Sequence, residues 1–600
     1  MKPAALLDVR RAWAAVRLGA ARAVRLPAQI GWRDHAIGAG LGLAYLAWLL
    51  ATARAIGFPR DESIYFHAAS QYAGWWRTLL ERPHAALEPG AIDAAFSMNR
   101  EHPALMKTLF GLSEWLFHQK WRVFADASAA YRMPGSASAA VAVWTTYLFG
   151  ARAWGRRAGL IAAALLAAMP RVFFHAHLAC FDVPITAVWI VCVYVHWRAQ
   201  ERRSLLWALA TGVVFGLALE TKHNAWVLPF ALVPHALFVH RHAIARGLAA
   251  GRVALPASVV SMATVGPAVF YALWPYLWHD GLARLQWYVD FHLNHEYYNI
   301  EFLGKNYFGP PSPKAYLPVM VLATVPTITI LLFGVGAAQA AAVGARRLWA
   351  WTGAATGRGL RTPARSDGAR PDAPGAAPAR APRDPRETDL LLALSIAVAV
   401  GPFFLPATPI FGGTKHWMPA YPALALLAGR GFELVAAAMR RAVAAGMAGA
   451  RLVAAEAALG TCVVAAPLAE TAHACPFGLS AYVPLVGGAA GAADLGLNRQ
   501  FWGFTSQNAA EEYLNAKAPP GASVFIHDTM WDAWTRMQQE GRVRGDLRAT
   551  MAPSDATIAL VEHELHMNEV DYSVWVALGT DAPAYIVTYD GVPIVSVYRR

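Results

Sequence analysis

The chain has 600 residues, of which 56% are hydrophobic and 15% charged, a composition that excludes an ordinary soluble protein. The net charge of +13 does not indicate nucleic-acid binding, because the cations stand in short clusters between apolar runs and not on one basic domain. The four cysteines are too few and too widely separated for a metal motif or a disulfide framework, and only a pairing of Cys180 with Cys475 stays open.

Eleven apolar runs follow one another along the chain. Each comes close to the length of about 20 residues that crosses a bilayer as a helix. They occupy residues 36–56, 134–151, 158–174, 183–197, 204–219, 225–239, 253–274, 315–337, 389–407, 419–438 and 452–468. The predicted fold is therefore an α-helical multi-pass membrane protein with about eleven spans.

Arginine clusters predict the orientation of these spans, because alternate connections carry the cations, as the positive-inside rule requires of cytoplasmic loops. The clusters contain Arg10, Arg11, Arg17, Arg22, Arg25 and Arg33, then Arg152, Arg156 and Arg157, then Arg198, Arg202 and Arg203, then Arg241, Arg246 and Arg252, and finally Arg440, Arg441 and Arg451. Residues 1–35 are accordingly predicted to be a basic cytoplasmic N-terminus, without a removable signal peptide. The loops 57–133 and 275–314 and the C-terminal region 469–600 are predicted to lie on the exoplasmic side.

The loop 57–133 opens with an adjacent acidic pair, Asp61 and Glu62, where the first apolar run ends. Two amphipathic helices are predicted to follow, the second starting just after Pro103. Aromatic-rich amphipathic helices of this kind lie in the membrane interface and do not cross it. We expect this loop to carry the chemistry of the protein.

The loop 275–314 mixes aromatic and polar residues without a clear strand or span. An interfacial helix with a proline-stopped loop explains this pattern, and so does a lid or a surface for sugar and lipid. His292 and His295 with Glu296 are a weak candidate for binding a divalent metal ion, and an ordinary polar helix face explains them as well.

Residues 353–388 are a low-complexity mixture of Pro, Ala, Gly and Arg. Such a composition cannot bury a core, so a disordered cytoplasmic linker is predicted inside the membrane domain 36–468.

From residue 469 onward the composition becomes that of a small soluble domain. GASVFIHD and ATIALVEH are predicted strands, NAAEEYLNAKAP is a predicted helix, and Asp590-Gly591 marks the turn of a hairpin. We predict an exoplasmic α/β domain without catalytic residues.

Short exoplasmic loops should avoid cations, yet Arg171, Lys222 and Lys415 stand in three of them. Together with residues of the first loop and several histidines they would form a ring suited to a phosphate anion. The further members are His102, Lys107, His175, His177, His223 and His416. For any single member, an interfacial cation that reaches toward the headgroups is an equally good explanation.

Asp182 stands at the start of the span 183–197, followed by Val183 and Pro184. It is either a helix N-cap or a second carboxylate that faces the same outer cavity as Asp61, and the sequence leaves both open. The chain contains no P-loop, no dinucleotide-binding glycine motif and no HExxH motif, which disfavours nucleotide-driven transport and nucleotide-sugar chemistry on a soluble fold.

Several motifs resemble those of protein O-mannosyltransferases (glycosyltransferase family 39). RDESIYF, with Asp61-Glu62, resembles the exoplasmic Asp-Glu motif of that family. EHPALMK resembles its His-Pro-Pro-Leu-x-Lys motif, with Ala104 in place of the second Pro. ETKHNAW, around Lys222, resembles its small-residue–Lys–aromatic segment.

Two further motifs resemble those of the related lipid A aminoarabinose transferases. TKHWMPAYP resembles an Arg-Tyr-x-x-Pro-x-x-Pro stretch, with Lys415 and His416 in the Arg and Tyr places, and FDVP resembles a later Asp motif, at Asp182. The likeness covers about residues 36–438 and not the C-terminal domain.

The resemblance implies a GT-C membrane fold and the inverting transfer of a sugar, such as mannose or another hexose or pentose, from a polyprenyl phosphate to an exoplasmic hydroxyl. The acceptor, which is protein, lipid or glycan, stays open. The alternative function is a transporter or flippase of a lipid-linked sugar. The expected location is the cell (inner) membrane, in contact with membrane lipids.

In this scheme Asp61 is the general base, and Glu62 supports Asp61 or the start of its helix. The candidates for binding the donor phosphate or the sugar are His102, Lys107, Arg171, Asp182, Lys222, Lys415 and His416.

Overall fold

The structure is a computed structural model that describes residues 30–202, 204–355, 385–410, 412–443, 449–500, 502 and 510–600. Most of the predicted linker 353–388 and of the N-terminus 1–35 therefore lies outside the described residues. The helices up to the first small sheet are α1 (Trp32–Thr52), α2 (Arg60–Glu81), α3 (Pro83–Ala86), α4 (Pro89–Phe96), α5 (Ala104–Ser113), α6 (Ala127–Trp154), α7 (Arg156–Ala167), α8 (Pro170–Ala176), α9 (Asp182–Arg202), α10 (Leu205–Thr221), α11 (Pro229–Ala249), α12 (Ala257–Leu273) and α13 (Gly281–Leu293).

A two-stranded antiparallel sheet follows, formed by β1 (Ile300–Phe302) and β2 (Lys305–Tyr307). The remaining helices are α14 (Tyr316–Thr324), α15 (Thr327–Ala355), α16 (Pro385–Val400), α17 (Tyr421–Val443), α18 (Ala450–Ala474), α19 (Gly488–Asp494), α20 (Ala510–Lys517), α21 (Trp531–Gln539) and α22 (Asn568–Leu578). The protein is mostly helical, as predicted.

Each of the eleven predicted runs falls on a helix or on a pair of consecutive helices, but the count of eleven spans is not confirmed. Among the described residues, six helices are long and apolar enough to cross a membrane, or seven if α7 and α8, bent by 69°, form one span. The six are Trp32–Ala55, His223–Ala249, Thr327–Arg346, Glu387–Phe404, Met418–Ala442 and Ala450–Ala474. The other runs fall short for physical reasons, because α10 and α12 have 17 residues each, α6 is rich in Gly, Ala, Ser and Thr, and α9 carries charged side chains.

Close helix packing depends on glycines at the crossing of α15 and α17. A Cβ atom at Gly336 would lie 2.0 Å from the carbonyl oxygen of Leu427, and one at Gly431 would lie 2.0 Å from that of Leu332. Small residues let helix backbones approach in this way where lipid removes the hydrophobic driving force between helices.

Ion pairs join helix ends that the arginine pattern assigns to the cytoplasm. The Arg156 guanidinium lies 2.6 Å from Asp34 of α1, and Arg152 lies 2.5 Å from Glu201 of α9. Arg157 of α7 pairs with Glu433 of α17 at 2.8 Å. These predicted cytoplasmic ends therefore do lie side by side, at one end of the helices.

The predicted C-terminal α/β domain is present. Its sheet has the order β4-β3-β5-β7-β6, from β3 (Ser523–Phe525), β4 (Arg548–Thr550), β5 (Ile558–Glu562), β6 (Tyr585–Tyr589) and β7 (Val592–Arg599). β3 is parallel to β4 and β5, and β7 is antiparallel to β5 and β6. The predicted hairpin turn lies at Asp590-Gly591, where both residues have positive φ, 48° and 78°. The pairing of Cys180 with Cys475, which the sequence leaves open, is not formed, since both cysteines are free.

The C-terminal domain packs directly on the first loop. One cluster of buried residues contains Ile56, Phe58 and Phe66 together with Trp534 and Met537 of α21. The start of α2 is therefore part of the interface between the helical domain and the sheet domain.

We predict that Gly336→Ala will lower the thermal stability of the purified protein in detergent. The added methyl group overlaps the Leu427 carbonyl, and overpacking of this kind costs about 1–3 kcal/mol. Gly334→Ala on the same helix is the matched control, because nothing lies within 4 Å of its added Cβ. An equal effect of the two substitutions on the unfolding midpoint would contradict the packing argument.

Candidate active site

A cavity of about 750 Å³ lies between the helical domain and the C-terminal domain. Its polar lining comes from the first loop, from the start of α9, from the connection between α10 and α11, from the 275–314 loop, from the segment before α17 and from the sheet domain. The polar lining residues include Arg60, Asp61, Glu101, His102, Asp182, Lys222, His223, His292, His295, Lys415, His416, Asp528 and Glu564. Six of the nine predicted site residues therefore line one space, and Glu62, Lys107 and Arg171 do not.

Asp61 occupies the first turn of α2, where the positive end of the helix dipole favours a carboxylate. Its oxygens lie 3.6 Å from Nε of Arg60 and 3.7 Å from Nζ of Lys415. A quarter of the side chain is exposed. Asp61 is thus a carboxylate that opens into the cavity between two cations, without a close hydrogen bond to either of them.

Lys415 lies between Asp61 and an aromatic ring. Its Nζ stands 3.9 Å from the ring centroid of Trp502, a cation–π contact. The preceding Gly412 and Gly413 have positive φ, 72° and 58°, so the chain can turn sharply before the lysine.

Lys222 and Asp182 form a buried ion pair, with 2.7 Å between Nζ and Oδ1. His175 lies 3.9 Å from the other Asp182 oxygen. Both partners of the ion pair line the cavity, so the structure brings the second predicted carboxylate to the same space as Asp61.

Glu62 points away from the cavity into the protein. Its carboxylate, which is fully buried, accepts hydrogen bonds from Nε and Nη2 of Arg132, at 2.8 and 2.6 Å, and from the backbone N–H of Ala179 at 2.8 Å. The Glu62 side chain therefore ties the start of α2 to α6 and to the loop before α9.

Lys107 and Arg171 are also engaged outside the cavity. The Lys107 ammonium donates to the Tyr72 hydroxyl and to the carbonyl oxygens of Asn99 and His102, and burial lowers the pKa of Lys107 to about 7. Arg171 donates to the carbonyl of Ala481. Lys107 thereby shapes the segment that holds His102, and Arg171 joins α8 to the segment before α19.

Two histidines of the predicted ring, His102 and His223, come together with His292 of the 275–314 loop. The rings of His223 and His292 stack at 4.0 Å, and His102 lies 6.3 Å from His292. Burial, followed by the charge of Lys107, holds the pKa of His102 well below its usual range, and burial lowers the pKa of His292 to about 4. His102 and His292 are therefore neutral at neutral pH and present hydrogen-bonding groups, not fixed positive charges, to a ligand.

The weak metal candidate in the 275–314 loop is engaged in local hydrogen bonds. Nε2 of His292 lies 2.8 Å from the carbonyl oxygen of Glu101, and Nδ1 of His295 lies 2.8 Å from that of Glu296.

A group that sequence reasoning missed lies in the C-terminal domain, where Asp528, Glu562 and Glu564 place carboxylate oxygens within 4.8 Å of one another. Burial, then the charges of Glu562 and Asp528, raise the pKa of Glu564 well above its usual range. The donors are all oxygen, as Mg²⁺ and Mn²⁺ prefer, so the group is compatible with a divalent ion. A usable signal was present, because these residues follow or end the parallel strands β3 and β5, and ligand sites gather at the carboxyl ends of such strands.

We predict that Glu62→Ala will destabilise the fold strongly. The substitution leaves the buried guanidinium of Arg132 without its carboxylate, which costs about 3–5 kcal/mol of the free energy of unfolding. Glu88→Ala, at an exposed position of the same loop, is the control. Thermal unfolding in detergent measures the effect, and similar midpoints for the two variants would show that the buried pair is not needed.

Comparison with known proteins gives one family match. Residues 111–271 match the family model described as dolichyl-phosphate-mannose-protein mannosyltransferase. No curated protein sequence matches the chain.

Similar solved structures share little sequence with the chain. One is ArnT from Cupriavidus metallidurans bound to undecaprenyl phosphate, with 14% identity over 95% of this chain and 98% of that chain and a TM-score of 0.40. Another is the archaeal oligosaccharyltransferase AglB from Archaeoglobus fulgidus in complex with an inhibitory peptide and a dolichol-phosphate, with 11% identity over 90% of this chain and 71% of that chain and a TM-score of 0.42.

The family match covers the end of the first loop and the helices from α6 to α12. It includes Arg171, Asp182 and Lys222 of the predicted site residues. The chain thus resembles the dolichyl-phosphate-mannose-protein mannosyltransferases, which are GT-C membrane glycosyltransferases, as its motifs predict.

Proposed function

We propose that the protein transfers a sugar, with inversion, from a polyprenyl-phosphate donor to an acceptor hydroxyl on the exoplasmic side of the cell membrane. The observation that carries the proposal is the position of Asp61, which opens into the cavity with the Lys415 ammonium 3.7 Å away. A base and an anion-binding cation thus stand side by side, as this transfer requires.

The chemistry of the donor explains why one carboxylate suffices. A polyprenyl phosphate leaves as a stable anion, so no acid is needed at the leaving group. Asp61 takes the proton of the acceptor hydroxyl as the hydroxyl oxygen attacks the anomeric carbon. Glycosidases, by contrast, need two carboxylates because their leaving group must be protonated.

The departing phosphate needs positive charge that is in place before the reaction. Lys415 and Lys222 supply it in our proposal, and the neutral imidazole of His102 and the His416 side chain contribute hydrogen bonds. Asp182 holds Lys222 in position through the ion pair of 2.7 Å and is available to the sugar or acceptor. Glu62, Lys107 and Arg171 act indirectly, by fixing the segments that carry these groups.

The proposed orientation in the membrane draws on the same cavity. We propose an N-terminus in the cytoplasm and an exoplasmic C-terminal domain, which agrees with the arginine pattern and with the contribution of that domain to the cavity. The alternative of a lipid-linked sugar transporter gains no support from the family match, which is to a transferase.

The direct test is an assay in membranes that contain the protein, with a set of radiolabelled polyprenyl-phosphate sugars as donors. We expect label to appear in a second molecule, and separation into protein, lipid and glycan fractions identifies the acceptor. Label that crosses the bilayer while it stays on the donor lipid would instead establish the transporter.

We predict that Asp61→Asn will reduce kcat at least about a hundredfold, since a general base contributes roughly 10²–10⁴ to the rate. Expression and membrane insertion should not change, because Asp61 makes no close hydrogen bond with its two cationic neighbours. Glu88→Gln is the control, as an exposed acidic residue of the same loop. Substantial transfer by Asp61→Asn would refute the assigned base.

We predict that Lys415→Met will raise KM for the donor by about tenfold or more, since a hydrogen bond to a charged group is worth about 1.5–3 kcal/mol. Lys305→Met removes an exposed cation from β2 and serves as the control. Steady-state kinetics with varied donor concentration measure both variants, and an unchanged donor KM for Lys415→Met would remove this lysine from the phosphate site.

A further inference from the structure

Arg60, the residue before Asp61, is attached to the C-terminal domain at two points. Its backbone N–H donates to the carbonyl of Trp502 at 2.9 Å. Its Nη1 donates to both carboxylate oxygens of Asp528, at 3.0 and 3.4 Å. The C-terminal domain thus binds the first residue of α2 through both the main chain and the side chain of that residue.

A second contact from the same domain holds the segment just before α2. Nη1 of Arg542 donates to the carbonyl oxygens of Ile56 and Arg54, at 2.9 and 3.4 Å. The ring of Phe58 lies between two guanidinium groups, 4.6 Å from that of Arg542 and 4.8 Å from that of Arg132. The C-terminal domain therefore holds this segment in the same region as the Glu62–Arg132 pair.

The same domain also contacts the cation beside Asp61. Trp502 is buried, has a φ of 80° that few side chains adopt, and lies over the ammonium of Lys415. Together, Trp502 and Asp528 contact both neighbours of Asp61, namely Arg60 and Lys415.

We infer that the C-terminal domain is part of the catalytic centre and that Asp528 is a positioning residue, which holds Asp61 in its working orientation through Arg60. This inference rests on the proposed function, in which Asp61 is the base. It assigns a role in the reaction to a domain that the sequence motifs leave without one.

The distances show that Arg60 interacts more closely with Asp528 than with Asp61. Asp528 lies at hydrogen-bond distance, 3.0 Å, whereas the nearest Asp61 oxygen lies at 3.6 Å from Nε. When Asp528 loses its charge, Asp61 and Glu564 remain as acidic neighbours of Arg60, and we expect Arg60 to close on Asp61, which already lies 3.6 Å from its Nε. A close ion pair makes Asp61 a weaker base and turns it away from the acceptor hydroxyl, so kcat falls while the donor phosphate site stays intact.

The test is a double-mutant cycle of Arg60 and Asp528 in the full-length protein, assayed with the polyprenyl-phosphate sugar that the donor screen identifies. We expect Asp528→Asn to lower kcat about tenfold and to change the donor KM less than twofold. Asp528→Glu should restore most of the rate, because it keeps the charge. In an Arg60→Gln background, Asp528→Asn should have little further effect on kcat.

Asp532→Asn is the matched control, since it removes an exposed carboxylate from α21 of the same domain, and it should behave as wild type. Thermal unfolding checks that each variant is folded at the assay temperature. Wild-type kcat for Asp528→Asn, or simply additive effects of the two substitutions, would overturn the inference.

Two further outcomes are distinguishable. The kcat of Asp528→Asn is also compared with that of the wild-type protein in the presence of a chelator of divalent ions. If the two kcat values are then equal, Asp528 acts through a bound ion, and the positioning role is refuted. If Asp61→Asn keeps substantial activity, the proposed function itself fails. An inactive Asp61→Asn beside a fully active Asp528→Asn would overturn only the inference.

Discussion

The buried ion pair between Glu62 and Arg132 is the interaction on which the geometry of the cavity depends. The two side chains are 0% and 2% exposed, and Arg132 also donates to the carbonyl oxygens of Ile56 and Gly57. Neighbouring residues on a helix point about 100° apart. Once Glu62 is fixed inward, toward α6, Asp61 has to face outward, into the cavity.

The cost of burying a charge also explains why the predicted cations of the site have different surroundings. A charge is costly to bury without compensation, so a buried lysine or arginine indicates a local set of acceptors. Lys107 has four such acceptors, and Arg171 has a carbonyl together with the ring of Tyr482 at 5.2 Å. Lys415, in contrast, contacts a carboxylate and an aromatic face beside an open space. Lysines and arginines that look equivalent in the sequence therefore separate into residues that hold the surrounding segments in place and residues that line the cavity.

Much of this arrangement could be predicted from local sequence, because apolar runs, glycine turns and basic clusters reflect short-range physics. Every apolar run is helical, the Asp590-Gly591 hairpin forms, and the arginine-rich ends meet. The span count could not be predicted, because short or weakly apolar helices such as α10 and α6 are held by helix packing that hydropathy does not record.

The contact of the C-terminal domain with the region of Asp61 could not be predicted for a different reason. Asp528 and Glu564 are far apart from Asp61 along the chain, and they meet it only because β3 and β5 are parallel neighbours and their domain packs on α2. Neither strand order nor domain docking is a local property of the sequence.

The lining of the cavity explains why a lipid phosphate suits it under the proposed function. Trp189 lies seven residues beyond Asp182 in α9, about 10 Å along the helix axis. Trp189, Val398 and Phe403 give the cavity apolar lining from the helical domain, and Asp528 and Glu564 give it polar lining from the sheet domain. In the proposed function, the apolar tail of the donor lies against the helical lining, its sugar against the polar lining, and its phosphate beside Asp61, Lys222 and Lys415. Contacts of the tail and of the sugar with different parts of the lining would then orient the donor before any charge develops at the phosphate.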